Sequence, residues 1–397
     1  MNHIPRCISK IHKSIIPKYA YGSYIIDTKK RKYLDLTSGI GALSLGHNNY
    51  EINSYVKYQM NHIIHCPQQV FGANLQQLKL NKILYSTMSS PNLSQFFYTN
   101  SGSEATDNAI KLARHATKKT NIISMKRGFH GRTLGALSLN SSNITSKNGC
   151  QPLMPGVFFC NSDNIDDLND MFNLYTNPNE TAAFIFESIQ GEGGINNISS
   201  SFLKYARELC DEYNIIMIAD EIQCGAMRTG HFWDINRKNI IPDIITFGKG
   251  IGNGYPIAGL ATTKDIINEL PMGMLGGTYG GNALVCSAAY QTIKILRKNS
   301  YYLKINEKSK YILCKLNGFP LIKKVNIYGL MIGIEFTNEF IAQHLTNKLR
   351  DIGVLVLTAG NNNQIMRILP PLNISYYEIN EFLEKFNYVI NRCLYSK

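Results

Sequence analysis

Two short runs carry the fold: Ile215-Ile216-Met217-Ile218-Ala219, which ends on Asp220-Glu221-Ile222-Gln223, and Ile244-Ile245-Thr246-Phe247, which ends on Gly248-Lys249-Gly250-Ile251-Gly252-Asn253-Gly254. Neither run alternates apolar with polar residues. Such strands suit a sheet buried on both faces, as a parallel sheet between helices is. An acid follows one run and a lysine follows the other. In sheets of this kind ligands gather at the carboxyl ends of the strands.

Outward from these runs, strands and helices alternate. Gln95–Tyr98 and Ala182–Phe186 read as further strands. Ser103 to about Lys118 reads as a helix, with Ala105, Ala109, Leu112, Ala113 and Ala116 on one face. Ser101 and Glu104 have the spacing of a capping box at its start. Phe202, Ala206, Leu209, Cys210 and Tyr213 form a second helical stripe. The pattern predicts an α/β protein with a mostly parallel sheet covered on both faces. Beyond about residue 290 it changes. Gly329–Phe336 and Gly353–Leu357 read as strands. A last helix from near Ser375, with capping-box spacing to Glu378, buries Ile379, Phe382, Leu383, Phe386 and Ile390. We expect a large domain over 46–290 and a smaller α+β domain over 291–397, joined by the N-terminal segment 1–45.

Composition narrows the function. The chain has 397 residues, enough for one large and one small domain, and 44% of them are hydrophobic, as in a globular protein. No apolar stretch reaches the ~20 residues that span a bilayer. Nine scattered cysteines, with no C-x-x-C, favour free thiols in a reducing, cytoplasmic compartment over disulfides or a metal site. The basic segment before Asp27 lacks the apolar core of a secretory signal, and a transit peptide stays open. The net charge of +13 is spread along the chain without an Arg-rich stripe or a nucleic-acid motif, so it speaks for anionic small molecules rather than nucleic acid.

Lys249 and Asp220 at two strand ends are what pyridoxal phosphate (PLP) requires. A lysine holds its aldehyde, and an acid keeps its ring nitrogen protonated. A Gly-Lys-Gly turn is more often a plain solvated loop, so the surroundings decide. Ser101-Gly102-Ser103 lies before a helix N-terminus, where free N–H groups and the helix dipole favour an anion; an ordinary capped turn would look the same. Gly128-Phe129-His130-Gly131-Arg132-Thr133 offers a ring to stack on a planar cofactor and a guanidinium for a carboxylate. His130 is open between a structural and a chemical role. Glu187-Ser188-Ile189-Gln190-Gly191-Glu192-Gly193-Gly194 brings two acids around a glycine-rich turn, which as easily describes a solvated loop. Arg367 precedes Ile368-Leu369-Pro370-Pro371 and is open between a ligand role and a surface charge.

Together these segments strongly resemble the class III, or ω-amino acid, PLP-dependent aminotransferases, in the acetylornithine, ornithine and 4-aminobutyrate group. The ordered set is N-S-G-S-E-A, F-H-G-R-T, E-S-I-Q-G-E-G-G, A-D-E-I-Q, F-G-K-G-I-G, G-T-Y-G-G-N and R-I-L-P-P, running from about Gly22 to Pro371. The resemblance implies PLP fold type I, with a mostly parallel seven-stranded sheet in the large domain, and a homodimer with its sites at the subunit boundary. It implies that Lys249 binds PLP covalently and that Asp220 pairs with the ring nitrogen. Gln223 would reach the ring hydroxyl, Phe129 and Ile222 would flank the ring, and His130 would stand beside the cofactor. Ser101, Gly102 and Ser103 would hold the phosphate, with Thr278 reaching it from the partner subunit. Arg367 would bind the α-carboxylate, Glu192 would neutralise Arg367 when an ω-amine donor is present, and Arg132 would take the far carboxylate.

The implied reaction passes the terminal amino group of an ω-amino acid donor, of the N-acetylornithine or 4-aminobutyrate type, to 2-oxoglutarate. An intramolecular aminomutase of the glutamate-1-semialdehyde type, or a non-catalytic binding protein, are the rivals; Gln223 and Arg132 argue against the first, Lys249 and Asp220 against the second. The chain departs from the family pattern at Cys224, Ala226-Met227 and Ala283, none of them a catalytic group. His12 and Ile40 stand where ornithine aminotransferases carry gating tyrosines, which argues against simple ornithine specificity.

Overall fold

The computed structural model describes residues 15–298, 300–360 and 362–395. Its centre is a seven-stranded sheet of β1 (Gln95–Thr99), β2 (Asn121–Met125), β3 (Val157–Cys160), β4 (Thr181–Phe186), β5 (Ile216–Asp220), β6 (Ile244–Phe247) and β7 (Ala258–Thr262). Their spatial order is β1-β7-β6-β5-β4-β2-β3. β7 runs antiparallel to both neighbours, while β6, β5, β4, β2 and β3 pair in parallel. The mostly parallel sheet expected from the apolar runs is present.

Period two divides the strand residues between two cores. Ile216, Ile218, Ile185 and Ile244 join Ala109, Leu112 and Ala113 of helix α1 (Gly102–Thr117) on one face. Met217, Ala219, Phe184 and Phe247 join Phe202 and Ala206 of helix α2 (Ser200–Glu212) on the other. The Ser101–Glu104 capping box forms: Ser101 Oγ accepts from Glu104 N at 3.3 Å, and Glu104 Oε2 accepts from Ser101 N at 3.1 Å. Such caps contribute about 1 kcal/mol and fix where the helix starts. β7 lacks the branched apolar run of its neighbours. Its Gly259 is dictated by packing, since an added Cβ would lie 2.4 Å from the Phe97 carbonyl oxygen.

The C-terminal part holds an antiparallel sheet of Ile322–Tyr328, Met331–Phe336, Ile365–Ile368 and Leu357–Ala359. The single strand expected over Gly353–Leu357 divides. Val354–Leu355 pairs in parallel with Leu34–Asp35, whereas Leu357 onward joins Ile365–Arg367. The chain changes sheets at Val356, because the partner edges lie at opposite ends of the sequence and local propensity does not see them. The last helix, Tyr376–Tyr395, opens with the expected bonds between Ser375 and Glu378. Ile40 is 47% exposed in a left-handed turn at φ 63°; His12 lies outside the described residues. Among the described residues the eight cysteines are unpaired, and no helix is long and apolar enough to cross a membrane.

Candidate active site

Parallel strands end on the same side, so the sheet delivers its terminal polar groups to one place. Asp220 is the last residue of β5, Glu187 follows β4, Lys249 follows β6, the Gly128–Gly131 loop follows β2, and Ser101–Ser103 follows β1. Gly102, Ser103, Phe129, His130, Asp220, Ile222, Gln223 and Lys249 line one cavity of about 160 Å³, together with Gly131 and Glu187. Eight of the residues singled out from sequence therefore line the same cavity. Five others border it or lie apart. Ser101 is spent on capping α1. Arg132 is exposed, though its backbone N–H donates to Ser103 Oγ at 2.9 Å. Thr278 is exposed on a loop that does not line this cavity. Arg367 and Glu192 pair with each other beside Gln223.

His130 and Asp220 meet at 2.7 Å between Nδ1 and Oδ2, both buried. Burial alone would pull the imidazole down, but the hydrogen bond and attraction to Asp220 leave it above its ordinary value. The other Asp220 oxygen accepts from Ile222 N at 3.1 Å. Asn140, which no sequence signal picked out, holds the loop in place. Its Oδ1 accepts from His130 N and its Nδ2 donates to the Gly131 carbonyl, each at 2.6 Å. Lys249 has a left-handed backbone, φ 41°, uncommon for a non-glycine residue and typical of functional sites. Burial lowers its amine below the ordinary lysine value, against the pull of Asp220, Glu192 and Glu187.

The glycines keep the walls close. An added Cβ at Gly102 would lie 2.8 Å from Ile222 Cδ1, and one at Gly131 would lie 2.4 Å from Ser103 Oγ. On the far side, Arg367 is 3% exposed. Its Nη2 meets Glu192 Oε1 at 2.7 Å and its Nη1 donates to Gln223 Oε1 at 3.3 Å. Glu187 reads in the sequence as one of two acids around a glycine-rich turn, yet its carboxyl is buried against the cavity. Burial, with Asp220 adding to it, pushes it up to about 7.

A 16-residue helix starting at Gly102 presents its positive end to the cavity, whose lining also holds the Asp220 carboxylate and the Lys249 amine. A planar, phosphorylated aldehyde with a ring nitrogen has a complementary group for each, so the residues fit PLP. Fold and site together define a PLP-dependent transaminase. The chain belongs to the family described as Aminotransferase class-III, whose sequence model matches residues 8–390. It is 34% identical to the acetylornithine aminotransferase of Bacillus cereus, over 95% of this chain and 94% of that one. It is 31% identical to the 4-aminobutyrate aminotransferase GabT of Escherichia coli, over 98% and 95%. A crystal structure of ornithine aminotransferase from Toxoplasma gondii, described with PLP at partial occupancy in its active site, superposes with a TM-score of 0.86 at 25% identity, covering 96% of this chain and 92% of that one.

Proposed function

We propose that this enzyme passes the terminal amino group of an ω-amino acid, of the N-acetylornithine or 4-aminobutyrate type, to 2-oxoglutarate, leaving an aldehyde and giving glutamate. The observation that carries this reading is the Arg367–Glu192 pair: a buried guanidinium with an internal, partly exposed acid that can leave it. One site must serve a donor without a carboxylate at the reacting end and an acceptor that has one. Arg367 rests on Glu192 for the first and takes the α-carboxylate in a forked pair for the second. Arg132 takes the far carboxylate.

PLP, when bound, supplies the electron sink. Lys249 holds it, and the Lys249 amine then removes and returns the proton at the substrate carbon. Asp220, anchored by His130, keeps the ring nitrogen protonated. Gln223 meets the ring hydroxyl, Phe129 and Ile222 enclose the ring, and Gly102 and Ser103 hold the phosphate at the helix end that Ser101 caps. The proposal includes a cytoplasmic homodimer in which Thr278 of each chain reaches the other's phosphate. It assigns residues 46–290 to the cofactor domain and residues 1–45 and 291–397 to the small domain. A panel of amine donors offered with 2-oxoglutarate, reading glutamate, tests it. Turnover with N-acetylornithine or 4-aminobutyrate is expected; glutamate from neither, with turnover confined to α-amino donors, overturns the ω-amine assignment.

A further inference from the structure

Glu187 is a buried acid lining the cavity for which the mechanism above has no task. It follows β4, between Asp220 at the end of β5 and the Gly128–Gly131 loop that follows β2. Its two oxygens serve two different segments. Oε1 accepts from Phe129 N at 2.9 Å, and Oε2 accepts from Gly191 N at 3.1 Å. Gly191 in turn presses on Gln223, where an added Cβ would lie 1.8 Å from Oε1. That same Gln223 oxygen accepts from Arg367, and Arg367 meets Glu192, the residue after Gly191. One line of contacts thus runs from the Phe129 backbone through Glu187 to the carboxylate-binding pair.

We propose that Glu187 is a positioning residue that sets the separation between the Phe129 loop and the Gly191–Glu192 turn, so that one acid registers both the ring platform and the Arg367–Glu192 pair. The proposal rests on the roles given above to Phe129, Arg367 and Glu192. Ionised, above about pH 7, the carboxyl offers two acceptors and no donor, and its bonds to the backbone N–H groups are charge-assisted; protonated below that, it still presents one oxygen to each amide. Glutamine has the same length but turns an NH₂ against one of the two amides. Aspartate keeps the charge but is one methylene too short to reach both.

The charged groups that face Glu187 are His130 from its loop, Asp220 from β5 and Lys249 from beyond β6. Burial pushes the carboxyl from 4.5 up to about 7, with His130 and the two amides opposing. The folded chain therefore holds a proton that the unfolded chain has released. The resulting stability is complete below about pH 4.5 and is lost as pH rises through about 7. Across that window this group alone lowers the folding constant by roughly 10²-fold. Glu187→Gln removes the titration and should flatten this fall.

The test uses the full chain, PLP-loaded and PLP-free, as wild type, Glu187→Gln and Glu187→Asp. Three quantities are read: the thermal midpoint from pH 5 to 8, the PLP dissociation constant, and binding of glutarate, a five-carbon dicarboxylate probe for the Arg367 pocket. Both variants are expected to bind PLP and glutarate about tenfold more weakly, the scale of one orphaned buried amide. Only Glu187→Gln should lose the pH-dependent fall in midpoint. Variants that lower the midpoint yet bind PLP and glutarate as the wild type does would reduce Glu187 to a structural acid and overturn the proposal. Should Glu187→Gln fail to fold, binding by Glu187→Asp decides alone. The donor panel on wild type is read separately, so failure of the functional reading shows there whatever the variants do.

Discussion

Replacing Glu192 by alanine strands a guanidinium. Arg367 is 3% exposed and has a carboxylate at 2.7 Å and an amide oxygen at 3.3 Å. Its Nε has no partner. Removing one member of a fully buried pair costs about 3–5 kcal/mol. The Glu192 side chain is 31% exposed, so solvent screens part of that loss, and roughly 1–3 kcal/mol is the fitting scale. The penalty falls on states in which nothing else meets Arg367. An ω-amine donor with no carboxylate at the reacting end leaves it exposed to the full loss, which slows that half-reaction by roughly 5- to 150-fold. Glutamate or 2-oxoglutarate brings its own carboxylate, no longer competes with Glu192, and should react as fast as in the wild type or faster. Single-turnover absorbance of the PLP-loaded enzyme, mixed with each substrate separately, reads the two halves apart. Equal losses in both would show that Glu192 is structural and that the exchange of partners occurs elsewhere.

Three further outcomes follow from the site. Borohydride reduction of the purified enzyme and peptide mapping should place the cofactor on Lys249, and Lys249→Ala should abolish turnover; a label on another lysine refutes the assignment. Asp220→Asn should fold and retain PLP through the helix end but lose at least about 10²-fold in turnover, since an amide cannot hold the ring proton and its partner His130 loses the charge it pairs with. Near-normal turnover in that variant would mean another group partners the ring nitrogen. Light scattering should find a dimer at working concentration, and Thr278→Ala should weaken PLP binding; a fully active monomer contradicts the cross-subunit contact.

Much of this was legible in the chain because the physics that sets it is local. The Ser101–Glu104 and Ser375–Glu378 caps involve residues three apart, and the runs before Asp220 and Lys249 announce buried strands by lacking alternation. β7 carries no strand signal because its small residues answer to its neighbours: Gly259 is there for the Phe97 carbonyl, not for strand propensity. The 353–357 segment reads as one strand for the same reason, although its two halves are claimed by edges at opposite ends of the chain.

The sequence by itself determined the capped helices and the unalternating strand runs, the family and the inventory of reactive groups, because period, capping and motif order are properties of neighbours along the chain. Only the tertiary structure decided which groups meet. His130 lies against an aspartate ninety residues away, and Arg367 bonds to a glutamine 144 residues away. Glu187, which reads as part of a solvated turn, is sealed between two loops and pushed up to about 7. Burial and the distance between charges are set by how the sheet gathers its strand ends, and they are what turn an inventory of acids and bases into a site.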